Sequence, residues 1–246
     1  FTNIYSGYSE GLQVVPVDPN GIGAGVSNYT LSDFTPSDKN LWQFDIFYDV
    51  GGGGASVLLA HAGQNLYTID NSVNTPILYG DVNGTTMSKA GVFTDSVTTV
   101  NTSTTITLAA TNILIGAGQS ITGSGIPANT TVVSVTGTSV VISNPATASA
   151  TVTATFDNNI EVSGGMVAMH PYVFAYGNNG LIQNCSAGNV NDWVSADANA
   201  TNVASGKIVK GLPVRGGSNS PSGLFWSLDS LIRVSYSPTT ITSGAT

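Results

Sequence analysis

The sequence predicts an all-β protein: propeller-like or sandwich-like antiparallel sheets, with a small β-sandwich module inserted into them. Three observations carry this expectation. Ala, Leu, Glu and Lys do not recur at helical spacing over any long window. Short runs rich in Val, Ile, Thr, Tyr and Phe recur instead, bounded by Gly, Asn, Asp and Pro. The composition also changes abruptly in mid-chain, where the 61 residues 96–156 contain no Asp, Glu, Lys, Arg or His.

Taken in order, the strand-like runs are 41–50 (LWQFDIFYDV), 55–61 (ASVLLAH), 65–70 (NLYTID), 76–82 (PILYGDV), 166–170, 172–176, 224–228 and 231–236. Between them stand the glycine-bearing turns 51–54, Asn83-Gly84, Asn179-Gly180 and Gly216-Gly217, where a left-handed backbone is readily adopted. The best helical candidate is the polar stretch 191–204, and its pattern is weak.

Aromatic residues vanish between Phe93 and Phe156. Within that interval 104–108 (TTITL), 130–135 and 139–143 (SVVIS) alternate Thr or Ser with Val, Ile or Leu. Such alternation reads as half-buried strands with methyls inward and hydroxyls outward. The boundaries predict a main β domain of residues 1–95 and 157–246 and an inserted uncharged module at 96–156. With the insert removed the flanks echo one another. Aligning Val57, Met166 and Leu224 gives periods of 48 and 58 residues, suited to propeller blades with loops. Sandwich hairpins give the same alternation. Three blades do not close a ring, so further blades or neighbouring copies are expected to complete it.

The 246 residues carry a net charge of −8 from 6 basic and 14 acidic residues. That balance provides no basic footprint for gripping nucleic acid or anionic lipid. No apolar run approaches the about 18–20 residues of a membrane span. The single cysteine, Cys185, excludes an internal disulfide framework. The chain opens at Phe1 without an initiator Met or a signal-peptide pattern, so it reads as a processed chain or as the ordered part of a longer one.

Chemistry-bearing patterns are sparse, and no catalytic, cofactor-binding or metal-binding residues are nominated. Gly7-Tyr8-Ser9-Glu10-Gly11 matches the G-x-S-x-G nucleophile elbow, but the strand-like 12–17 follows it where that motif needs a helix. His61 and His170 each end an apolar run and have no partner motif, so they read as structural. The glycines of 21–25 precede no helix and read as a turn. Asn189, Asn191, Asp192, Asp197 and Asn199 surround Trp193 without EF-hand spacing, and read as a solvated loop. Lys207, Lys210 and Arg215 form the one basic grouping: a contact with an acidic neighbour or a solvated loop.

Residues 117–151 include GQSITGSGIPANTTVVSVTGTSVVISNPATASAT. They resemble a small β-module common in tailed-phage structural proteins and bacterial surface proteins, with its G-x-G-I-P-A turn, T-x-V-x-x-V strand and S-x-P-A-T hairpin. The flanks 164–187 (GGMVAMHPYVFAYGNNGLIQNCSA) and 210–236 (KGLPVRGGSNSPSGLFWSLDSLIRVSY) resemble virion proteins of short-tailed phages, of the tail nozzle or hub class. That resemblance implies a non-enzymatic, β-propeller-like structural protein of the virion, assembled in the host cytoplasm. It implies a cyclic homo-oligomer, six-fold, contacting neighbouring tail or adaptor proteins and passing DNA transiently without specific binding. A capsid decoration protein or receptor-binding adhesin is the alternative expectation. A glycan-cleaving tailspike is a third, requiring a close carboxylate pair in a chain whose only glutamates are Glu10 and Glu161.

Overall fold

The computed structural model describes residues 2–8, 11–18, 21–22, 27–30, 41–49, 55–61, 63–70, 86–214 and 222–235. Among them the protein is all-β. The one helical element among the described residues is the single 3-10 turn Asn178–Gly180. The first sheet is built of β1 (Thr2–Tyr8), β2 (Gly11–Asp18), β3 (Gly21–Ile22) and β4 (Ser27–Thr30), with β2 pairing with the other three. A four-stranded antiparallel meander follows, from β5 (Gln43–Asp49) through β6 (Ala55–His61) and β7 (Leu66–Asp70) to β8 (Thr86–Lys89).

The chain then leaves the sheets and forms six strands that close on each other. They are β9 (Val92–Thr99), β10 (Thr105–Leu108), β11 (Ser120–Gly123), β12 (Ile126–Thr136), β13 (Ser139–Ile142) and β14 (Ala150–Asp157). β9 pairs with both β10 and β14, and β11 with both β12 and β14, which closes a barrel in place of two facing sheets. Its strand positions are sorted by the pleat. Along β10, Ile106 and Leu108 are buried while Thr105 and Thr107 face water. Val97, Ile121, Val132, Val140 and Phe156 fill the interior with them, and Phe93 stacks on Phe156 at 5.5 Å. Gly125 and Gly137 turn the hairpins on either side of β12 at φ of 73° and 60°.

After the barrel comes a second four-stranded meander, β15 (Gly165–Met169), β16 (Tyr172–Tyr176), β17 (Leu181–Asn184) and β18 (Asn199–Asn202). A three-stranded sheet of β19 (Ile208–Pro213), β20 (Ser222–Ser227) and β21 (Leu231–Ser235) ends the described chain. The β15–β18 sheet is the middle of a stack. Met166, Val173, Ala175 and Cys185 on one face pack with Phe47 and Leu66 of the β5–β8 sheet. Val167, Met169, Phe174 and Tyr176 on the other face pack with Ile208 and Phe225. A strand covered on both faces loses its polar alternation, which is why all five residues of β16 are buried.

Two sequence expectations change. Val57 and Leu224 lie in the second strands of their sheets, whereas Met166 lies in a first strand. The sheets start at Gln43, Gly165 and Ile208, so the aligned runs at Val57 and Leu224 are one strand out of phase with that at Met166. The apolar character of both faces of the middle sheet hides which strand comes first. Residues 191–204 hold loop and the edge strand β18, with no helix. There the Asp and Asn side chains accept from nearby backbone N–H groups, competing with helical bonding. The run 76–82 lies outside the described residues.

Candidate functional site

The described residues of the patterns weighed in the sequence lie in separate parts of the fold. Gly7 and Gly11 belong to β1 and β2, where Tyr8 pairs with Gly11 across a hairpin. Ser9 and Glu10 lie outside the described residues, as do 23–25 of the second glycine run. His61 is buried at the end of β6, and its Nδ1 accepts a hydrogen bond from Gly63 N at 2.9 Å. This fixes the proton on Nε2, which has no partner among the described residues. Burial lowers the pKa of His61 to about 4. His170 is exposed, follows β15, and lies 6.1 Å from the ring of Phe47.

The polar loop around Trp193 is knitted to itself. Asp192 Oδ1 accepts from Val194 N and Ser195 N. Asp197 accepts from Ser186 Oγ and Ala187 N, both at 2.8 Å. Partial burial pushes the Asp197 carboxyl up, and the Ala187 and Ser186 bonds outweigh it, holding the group below the usual carboxylate range. Trp193 Nε1 donates to Val190 O at 2.7 Å while its ring packs on the core. Among the described residues no three His, Cys, Asp or Glu side chains group as metal ligands. Lys207 and Lys210 flank the start of β19, and Arg215 lies outside the described residues.

Two features that sequence patterns missed organise the molecule. The first is the meeting of first strands: β15 lies against both β5 and β19. Asp45 on β5 accepts a hydrogen bond from Ala168 N on β15 at 2.9 Å, and Ile208 N donates to Gly177 O at 2.9 Å. Tyr176 occupies the seam. A Cβ at Gly164 or Gly211 would stand 3.0 or 2.9 Å from its ring, and one at Gly165 2.6 Å from its hydroxyl. Glycine at these positions admits the tyrosine. Burial raises the Tyr176 pKa above its ordinary value, and the adjacent Gly211 backbone pulls the other way.

The second is the neck that carries the barrel. Lys89 Nζ and Asp157 Oδ2 pair at 2.7 Å. Gly91 N donates to Asn191 Oδ1, and Asn158 Nδ2 donates to Gly91 O at 2.8 Å. Gln119, buried at the barrel base, donates to Asn158 Oδ1 at 2.9 Å. Gly116 on the barrel side abuts Val194 closely enough that a Cβ there would lie 2.6 Å from the valine Cβ. These contacts orient the barrel on the β15–β18 side of the neck.

No helix among the described residues is long and apolar enough to cross a membrane. Compared with protein-family models, curated proteins and solved structures, the chain matches none of them.

Proposed function

We propose that the chain is a non-enzymatic structural component of a bacteriophage virion, a subunit of the tail nozzle or hub ring through which DNA is ejected. The observation that supports this reading is the stack of meanders with adjoining first strands β5, β15 and β19. Sheets stacked face to face around adjoining first strands form an arc of a radial array. Copies of the chain in a cyclic homo-oligomer, six-fold by the sequence resemblance, continue the arc, with neighbouring tail or adaptor proteins above and below. A wall with net charge −8 and only six Lys and Arg repels phosphates, so DNA passes without the cationic contacts that hold it. The barrel is a decoration or contact arm on this ring.

The test is cryo-EM of virions carrying a small tag at Gly137 in the barrel, where a Cβ meets no atom within 4 Å. Density in a ring around a short tail is the expected result. Density spread over the capsid replaces the nozzle with a decoration protein, and density at fibre tips replaces it with a receptor-binding one.

A further inference from the structure

Three side-chain polar atoms are buried without a hydrogen-bond partner among the described residues: His61 Nε2, Ser163 Oγ and Tyr176 Oη. A polar group left unpaired in a protein interior is costly and calls for an explanation. Ser163 Oγ faces Gly177 beside Glu161 Oε1. The other two stand at corresponding places in their sheets. His61 is the last residue of β6 and pairs with Gln43, the first of β5. Tyr176 is the last residue of β16 and pairs with Gly165, the first of β15.

Gly165 is where the two sheets meet at this level. A Cβ there would lie 2.6 Å from Tyr176 Oη and 2.9 Å from Gln43 Oε1. The two oxygens therefore face one small space, which glycine leaves open to them, and no direct hydrogen bond joins them. The Gly211 backbone meets the phenolic oxygen as a donor, which leaves the hydroxyl proton in need of an acceptor. Gln43 belongs to the cross-strand row Gln43–His61–Leu66, on the face of the β5–β8 sheet that packs with Met166 and Val173. The bond from Gly63 N to His61 Nδ1 puts the imidazole proton on Nε2. This corner thus holds two unused donors, Tyr176 O–H and His61 Nε2–H, and one amide carbonyl, Gln43 Oε1.

We infer that one water molecule is bound at the corner of β5, β6, β15 and β16. It accepts from Tyr176 Oη and His61 Nε2 and donates to Gln43 Oε1, the three bonds typical of a buried water. It ties the β5–β8 sheet to the start of β15, as Asp45 ties the same sheets further along through Ala168 N. With the Gln43 amide turned over, a halide ion would accept from all three groups, so the shared chemistry is an acceptor held by two fixed donors. This site stands whether or not the chain builds a ring.

A high-resolution crystal structure of the full chain, with a second crystal soaked in bromide, tests it. A density peak about 2.7–3.2 Å from Tyr176 Oη, Gln43 Oε1 and His61 Nε2 is expected, without anomalous signal after the soak. A bromide signal there overturns the water in favour of an anion. A direct Tyr176–Gln43 hydrogen bond with no peak between them overturns the site, and a peak beyond reach of His61 overturns the three-way arrangement. Urea denaturation supplies an independent readout. Tyr176→Phe and Gln43→Met are each expected to raise the unfolding constant about three- to tenfold, and the double variant little more than either, because both act through one water. A hydroxyl without a partner is better removed, so a Tyr176→Phe chain as stable as wild type, or more so, overturns the bridge.

Discussion

Lys89 and Asp157 face each other at 2.7 Å across the neck, one at the end of β8 and the other at the end of β14. Their ion pair links the last residue of a sheet to the last residue of the barrel, which are 68 positions apart in the chain. Both side chains are about a quarter exposed, so solvent screens the attraction and the pair acts more on orientation than on stability.

Lys89→Met should therefore cost about 0–1 kcal/mol, a shift of roughly 2 °C in Tm at this chain length. Small-angle scattering is expected to show a wider spread of barrel orientations for the variant. An unchanged scattering profile would show that the Gly91–Asn158–Gln119 bonds hold the neck alone.

His61 makes stability depend on pH in one window. Its pKa is about 4 in the folded chain against 6.5 for the free group. Between those values the unfolded chain binds a proton that the folded chain does not. Its contribution is full above the upper value, declines as pH falls, and is gone below the lower one, with a ceiling of roughly 3 kcal/mol. Urea denaturation at about pH 7 and about pH 4.5 should show a larger acid-side loss for wild type than for His61→Asn, whose amide oxygen replaces Nδ1 as acceptor. Equal losses would contradict the assignment.

Two glycines separate steric from conformational demand. A Cβ at Gly164 runs into the backbone oxygen of Ile208, at the β15–β19 seam. Gly118 has φ of +91° but nothing within 4 Å of its Cβ position. Gly164→Ala should cost about 3 kcal/mol or more because the seam must open. Gly118→Ala should cost about 1–2 kcal/mol from its backbone conformation alone. Chemical denaturation of both variants checks the order.

The barrel has its own interior, and all three tryptophans, Trp42, Trp193 and Trp226, lie outside residues 96–156. Ile121→Ala removes a fully buried barrel side chain and should cost about 2–5 kcal/mol there. Hydrogen exchange should then rise in β9–β14 while the tryptophan-fluorescence transition keeps its midpoint. A parallel loss in both signals would show that barrel and sheets unfold as one unit.

The strand runs 55–61 and 172–176 coincide with β6 and β16 because apolar β-formers fill them between clear turns. β18 (NATN) was not legible. All four of its residues are exposed, and only its pairing with β17 makes it a strand. The Tyr176 seam was equally hidden, since Gly164, Gly165 and Gly211 meet one ring only after the β15–β18 and β19–β21 sheets have packed together. The outward Leu and Arg of β21 were visible as a strand, but which of its faces is covered depends on the neighbouring sheet.

At the neck Val92 pairs directly with Asp157, so the chain returns from the barrel beside the point where it departed. To the sheets, the whole excursion is equivalent to a hairpin tip. A cassette with adjacent ends is exchangeable at a single locus: another small fold, or a short turn joining Gly91 to Asn158, leaves the path of β8 and β15 unaltered. Variation in the barrel is thereby uncoupled from variation in how the sheets stack.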